Sequence, residues 1–341
     1  MADENEQMKL SKVTLVDVAN HVGVSSMTVS KVLRGRGSIS EKTQKKIRDA
    51  VQELGYVPNK LAGSLSSRTS NLVGVVLPSL SDVIFGEMVS GMNSVLRPRG
   101  LTTFVGESLY DPNVEVEAIS TILSLQPAAF IIYGGLERLE QSRSLLRNWG
   151  CPVIEIWDIK GQGVDCSVGP SHCEAGQKIA EHFLARGFQR PAYVGAELNK
   201  DILAGRRLSG FVEVMHGAGI EVKQVHDDAL PRQAASGREL TKRLIEDAPD
   251  CDAIFYLNDA MAMGGLSWLH AQGFEVPDRI AAAGFNGTSL AQSVRTHLTT
   301  IDVDRFGVGQ TASNCVLSLM DDKPVEPVIT VPTNLVLGNT T

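Results

Sequence analysis

Residues Thr14–Leu33, TLVDVANHVGVSSMTVSKVL, decide how the chain is to be read. Their apolar spacing predicts two short helices joined by a tight turn, the second shaped to lie in DNA. Ala19 must be small where the helices cross, Gly23 takes the turn, and Val29 fills the interior. Thr14 suits the N-cap of the first helix, with Asp17 three residues on to return the bond. Ser25 suits the same role for the second. Two ordinary amphipathic helices of a bundle would share much of this pattern, so the surrounding chain must separate the two.

Charge separates them. The 341-residue chain carries a net −7, which by itself argues against nucleic acid. Residues 8–70 nevertheless hold eleven Lys/Arg against four Asp/Glu, a net +7 that leaves −14 for the remainder. A basic head on an acidic body concentrates phosphate attraction in the segment that contains the helix pair. A merely solvated face does not explain that confinement. DNA binding is the expectation.

Downstream, Ser40 opens a third helix, EKTQKKIRDAVQEL, whose Ile47, Val51 and Leu54 form one apolar stripe, and Gly55 stops it. YVPNKLAGSLSSRTS follows: Pro58 breaks the chain, Asn59 caps, and KLAGSLSS has one or two helical turns in it. With Gly63 inside, so short a helix is unstable alone, and it should fold only against a partner chain and DNA.

From Leu72 the texture changes. LVGVVLP, TTFVG, AAFIIYG, CPVIEIW, PAYVG, AIFYLND and RIAAAGF are short apolar runs separated by stretches of helical period. That alternation predicts α/β architecture: two doubly wound parallel-sheet subdomains behind the helix-turn-helix head. The boundaries expected are a disordered tail 1–11, a DNA-binding domain 12–57, a hinge helix and linker 58–70, and a two-lobed domain 71–341. Within it, 71–166 and 288–303 form the expected first lobe, 167–287 and 304–341 the second.

Several classes are disfavoured. No apolar run is long enough to span a bilayer, and MADENEQMKL lacks the apolar core of a secretion signal, so a cytoplasmic protein is expected. The five cysteines are odd in number and lack metal-ligand spacing, which favours reduced thiols without a structural metal. PSLSDVIFG after the first strand lacks the glycines of a dinucleotide turn, and no phosphate loop, G-x-S-x-G elbow or H-E-x-x-H pair occurs. Neither catalysis nor a cofactor is expected. A secreted sugar-binding protein would share the two lobes but has no use for a basic head.

The motifs TLVDVANHVGVSSMTVSKVLRG, ISEKTQKKIRDAVQELGYVPNKLAGSL, LVGVVLPSLSDVIFGEMVSGM, AGRRLSGF, NDAMAMG and AGFNG together resemble the lactose-repressor (LacI/GalR) family along nearly the whole chain. PVIEIWDIKGQGVDCSVGPSH, with Glu155 and Asp158 at a strand end, is most similar to the gluconate-operon repressors. The resemblance implies periplasmic-binding-protein-like lobes and a homodimer, with a tetramer left open, that places one recognition helix per major groove of a pseudo-palindromic operator. By the same resemblance Ser26, Met27 and Lys31 match base-reading positions, with Ser30 in support. Lys31 suits guanine, and Met27 an apolar thymine methyl. Thr14, Ser25, Tyr56 and Asn59 match phosphate-contacting positions, although Tyr56 serves equally well as a core aromatic. Ala62 matches the small residue where hinge helices meet, and Leu65 the wedge that enters the minor groove. Gly63 departs from the common pattern and should raise the ordering cost by ~1 kcal/mol.

An effector crevice is implied between the lobes, outside the carboxyl ends of the strands. Candidates by resemblance are Ser81, Phe85, Asp158, Arg207, Asn258, Asp259 and Asn286. A guanidinium among amides and hydroxyls suits a carbohydrate acid such as gluconate or a ketogluconate. Arg206 and Arg207 paired with Glu155 or Asp158 remain the alternative.

Overall fold

The structure is a computed structural model and describes residues 13–35, 37–57, 70–161, 164–292 and 296–341. The chain divides into two compact units, Met1–Arg68 and Thr69–Thr341.

In the first unit α1 (Leu15–Val22) and α2 (Ser26–Leu33) are joined at Gly23, whose φ of 75° supplies the left-handed turn. Thr14 and Asp17 close the expected capping box, and Ser25 caps α2 by accepting from the Thr28 amide. Capped by Ser40, α3 (Glu41–Glu53) lays Ile47 and Ala50 against Val18, Ala19, Val29 and Val32. So small a core tolerates no gap. Each of these side chains is at most 7% exposed.

The second unit is built on two six-stranded sheets. In chain order its elements are β1 (Leu72–Leu77), α4 (Val83–Leu96), β2 (Thr102–Glu107), α5 (Pro112–Ser124), β3 (Ala129–Tyr133), α6 (Glu140–Trp149), β4 (Val153–Ile156) and β5 (Cys166–Gly169). Next come α7 (His172–Arg186), β6 (Pro191–Ala196), α8 (Ile202–Gly217), β7 (Lys223–Asp227), α9 (Ala234–Asp247), β8 (Ala253–Tyr256), α10 (Asp259–Ala271) and β9 (Ala281–Asn286). The last are α11 (Ser289–Gln292), β10 (Thr299–Val303), α12 (Arg305–Met320), β11 (Val328–Thr330) and β12 (Thr333–Val336). One sheet has the order β11-β5-β4-β3-β1-β2 and is wholly parallel. The other has the order β12-β10-β9-β8-β6-β7 and is parallel except where β12 runs against β10. Strands buried on both faces, such as AFIIY of β3 and PAYVGA of β6, carry the continuous apolar runs that parallel sheets need.

The lobe boundaries differ from those expected. β10 lies in the second sheet between β9 and β12, so 288–303 does not belong with the first lobe. α12 packs instead on α4, and β11 extends the first sheet, so most of 304–341 returns there before β12 crosses back. The chain therefore crosses three times, after β5, after β10 and after β11. The physical reason is a helix contact invisible in sequence: a Cβ added to Gly309 would lie 2.0 Å from the Met88 carbonyl oxygen. Only glycine lets α12 approach α4 that closely.

Candidate functional site

In the head, α2 turns Val29 and Val32 inward with Leu33 half-buried beside them, and its other face is polar or exposed. Met27 is 68% exposed, so its side chain takes no part in the head core. Lys31 is exposed beside it, and Ser26 is half-buried. Ser30 does more than support them: its carbonyl accepts from Arg34 Nε at 3.2 Å and its hydroxyl from Arg34 Nη2. Arg34, absent from the sequence candidates, is thus a cation fixed at the end of the recognition helix. The Ser/Arg pair four residues apart was the available signal.

Ser25 shares its hydroxyl with Thr28 at 2.9 Å and sits at a helix N-terminus, where backbone amides favour a phosphate. Thr14 is more constrained. Its hydroxyl donates to Asp17 Oδ2 at 2.7 Å and its amide to the same oxygen at 2.8 Å, and these bonds hold the Asp17 carboxyl below its usual range. A phosphate at Thr14 has to compete with a carboxylate. Tyr56 is half-buried and packs on the head core, the aromatic role left open above. Lys42, Lys45, Lys46 and Arg48 all project from α3 to solvent. Asn59, Ala62 and Leu65, with the whole expected hinge helix, lie outside the described residues.

In the second unit a cavity of about 730 Å³ opens at the carboxyl ends of the strands of both sheets. The first lobe contributes Ser79, Ser81, Asp82, Val83 and Tyr110, and the second Glu197, Arg232, Gln233, Asn258, Asp259 and Asn286. Four expected residues, Ser81, Asn258, Asp259 and Asn286, therefore meet in one place. Asn258 caps α10 through the Met261 amide, and Asn286 ends β9 at a φ of 114°. Asp259 accepts from Thr300 Oγ1 at 2.6 Å and from the amide and hydroxyl of Thr288 at 2.7 and 3.0 Å. Burial nevertheless pushes its carboxyl up to about 6.

Three expected residues do not line the cavity. Phe85 is turned inward by the phase of α4 and meets Tyr133 edge-on at 5.6 Å between ring centroids. Asp158 is 3% exposed and pairs with Arg206, which ties the first lobe to α8 of the second. Glu155, its companion in the motif, shares Arg138 with Glu115 at 2.9 and 3.1 Å in a buried cluster.

Arg207, at 3% exposure, lies just behind the wall. Its Nη1 contacts His172 Nδ1 at 2.8 Å, its Nη2 donates to the Leu257 carbonyl at 3.4 Å, and its guanidinium covers the Phe285 ring at 4.0 Å. Asn258 and Asn286, the next residues after those two neighbours, line the cavity. Among the described residues no carboxylate is hydrogen-bonded to Arg207, and its buried Nε has no partner. Arg232, which sequence reasoning missed, also has a buried Nε without a hydrogen bond but differs in having carboxylate partners. It stacks on Tyr110 at 4.3 Å and is neutralised by Asp201 at 2.7 Å, with Glu197 at 3.6 Å. Burial would push the Asp201 carboxyl up, but Arg232 and Arg207 outweigh it and hold that group below its usual range. Among the described residues no group of three or more His, Cys, Asp or Glu could hold a metal ion, and no helix is long and apolar enough to cross a membrane.

A capped helix-turn-helix with an exposed cationic face in one unit, and two sheets with a polar crevice in the other, define a ligand-responsive DNA-binding regulator. The comparisons agree. Residues 14–59 match the bacterial regulatory proteins of the lacI family, and residues 180–341 a periplasmic binding protein-like domain. The HTH-type transcriptional regulator GntR of Pseudomonas aeruginosa is 37% identical over 319 residues, covering 92% of this chain and 90% of its own. A LacI-family transcriptional regulator from Silicibacter pomeroyi has the same fold at a TM-score of 0.90 and 39% identity, over 96% and 99% of the two chains. The lac repressor dimer bound to operator and an anti-inducer superposes at a TM-score of 0.82 and 26% identity, over 96% and 98%. The chain belongs to the lacI family of bacterial regulatory proteins: it is a DNA-binding transcriptional regulator and not an enzyme.

Proposed function

We propose that this regulator is a cytoplasmic, dimeric repressor whose grip on a pseudo-palindromic operator is set by a small carbohydrate acid. The observation that carries the effector class is Arg207, a buried guanidinium with only neutral groups hydrogen-bonded to it and its Nε–H among the donors left unpaired. A buried charge of this kind is stabilised most by an anion that completes its hydrogen bonds. Hydroxyl and amide groups at Ser81, Asn258 and Asn286 suit the polyol of such a ligand. The GntR name of the relative above is consistent with a gluconate-type acid. Because the cavity draws on both sheets, a ligand that prefers one lobe arrangement shifts the population, and only that difference in affinity couples crevice to operator.

Gel-shift titration against the promoter of its own operon tests this, with and without gluconate, 2-ketogluconate or 6-phosphogluconate. At least one acid should change operator affinity. A shift produced by a neutral pentose and by none of the acids would remove the sugar-acid assignment.

In the head, Lys31→Ala should relax base preference and lose about 1–3 kcal/mol on operator alone. Ser25→Ala should weaken operator and random DNA alike. Equal losses on both DNAs for the Lys31 variant would exclude its reading role.

A further inference from the structure

We propose that His172 is the positioning residue for Arg207: locked as its neutral Nε2–H tautomer, it fixes the guanidinium behind the crevice wall in the orientation that effector binding requires. The inference rests on the sugar-acid reading above. Its test is built so that the two can fail separately.

The tautomer follows from the partners. His172 Nε2 lies 2.8 Å from the Trp157 carbonyl oxygen, which can only accept, so Nε2 carries the proton. On the other side Nδ1 lies 2.8 Å from Arg207 Nη1, which can only donate, so Nδ1 is bare. A doubly protonated ring would face an arginine N–H with another N–H. One neutral tautomer satisfies both contacts. Burial at 3% exposure, with the guanidinium alongside, agrees with a neutral ring.

The geometry around this pair is rigid. A Cβ on Gly176, one turn along α7 from His172, would lie 2.0 Å from the Arg207 carbonyl oxygen, and one on Gly210 2.2 Å from the Cys173 carbonyl. The helices α7 and α8 therefore touch backbone to backbone, and His172 has no freedom to slide relative to Arg207. Trp157 is held as firmly. It follows β4 at a φ of 69°, donates its amide to Val168 at 2.8 Å and presents its ring edge-on to His172 at 5.9 Å. A tryptophan kept in the left-handed region is a strained residue that its surroundings over-determine.

The consequence is directional. With Nη1 held by His172, Nη2 turned to Leu257 and one face on Phe285, the guanidinium is fixed one residue behind the crevice-lining Asn258 and Asn286, with Nε buried and unpaired. Because Trp157 belongs to the first lobe and Arg207 to the second, His172 also makes the anion-binding group answer to the crossover between lobes.

Two substitutions in the full-length protein separate positioning from mere packing. In His172→Asn the side-chain oxygen replaces Nδ1 and still accepts from Arg207. In His172→Gln the amide nitrogen replaces Nε2 and serves only Trp157. D-gluconate binding is read by calorimetry, with operator affinity and thermal melting as controls for folding. We expect the Asn variant to stay within about threefold of wild type and the Gln variant to lose about tenfold or more, the worth of a hydrogen bond to a charged group. Equal losses in both, or none in either, overturn the proposal. Should wild type bind no gluconate, the sugar-acid reading falls by itself, and nitrogen-15 spectra of the Arg207 guanidinium then decide. Separate Nη signals in wild type and the Asn variant that merge in the Gln variant support positioning. Merged signals in wild type overturn it.

Discussion

Replacing Arg207 by methionine is expected to abolish the response of operator affinity to a sugar acid while leaving a folded protein. Methionine fills much of the same buried volume without the charge. Arg207 has no carboxylate hydrogen-bonded to it, and Asp201, whose charge it helps to hold, keeps its direct partner Arg232, so the stability change should be smaller than for removal of Arg232. Effector affinity should fall about 100-fold or more, the scale of a charge-assisted contact in a site closed to water. Arg232→Met is the contrasting case. It unpairs Asp201, which is itself 3% exposed, and should cost about 3–5 kcal/mol of stability. Calorimetric titration and thermal denaturation of the two variants check both statements. An undiminished effector response in Arg207→Met would exclude that side chain from recognition.

The second large effect is a pH dependence carried by His172. Burial, with the Arg207 guanidinium beside the ring, pulls its pKa down to about 3 from an ordinary 6.5. The folded chain therefore resists a proton that the unfolded chain accepts, and the stability His172 contributes is present above about pH 6.5. It drains away as the pH falls toward 3, about 5 kcal/mol in all. Asp259 runs the other way. Burial raises its carboxyl to about 6, so the folded chain gains stability as the pH falls from 6 toward 3.8, by about 3 kcal/mol. The two oppose each other in wild type and offset only in part, so its own acid profile mixes both. Differences between variants are clean. Urea melts should show His172→Asn below wild type in stability at pH 7.5, with the gap closing and then reversing by pH 4. Asp259→Asn should lose ground against wild type over the same interval. Parallel profiles for wild type and the His172 variant would contradict a buried neutral imidazole.

What the amino-acid order determined by itself is whatever depends on neighbours along the chain. The caps at Thr14, Ser25 and Ser40, the turn at Gly23, the inward Val29 and the outward Met27 and Lys31 all follow from local periodicity and backbone chemistry, and the structure has them so. The strand-and-helix alternation from Leu72 onward was legible for the same reason. Four crevice residues, Ser81, Asn258, Asp259 and Asn286, were within reach through the family resemblance, and their places near strand ends at the mouth of a parallel sheet agree with it.

Tertiary structure alone decided the rest. Which sheet β10 and β11 join depends on pairing across the whole domain, and apolar runs carry no address. Phe85 went to the core and Asp158 to Arg206 because helix phase and a partner some fifty residues distant settle where a side chain ends. Of two arginines in the second lobe, Arg232 is paired directly with Asp201 while Arg207 is hydrogen-bonded only to a neutral histidine and a backbone carbonyl. That difference is electrostatic and three-dimensional: a buried guanidinium's appetite for an anion is set by which groups the fold has already placed against it, and no local pattern encodes that.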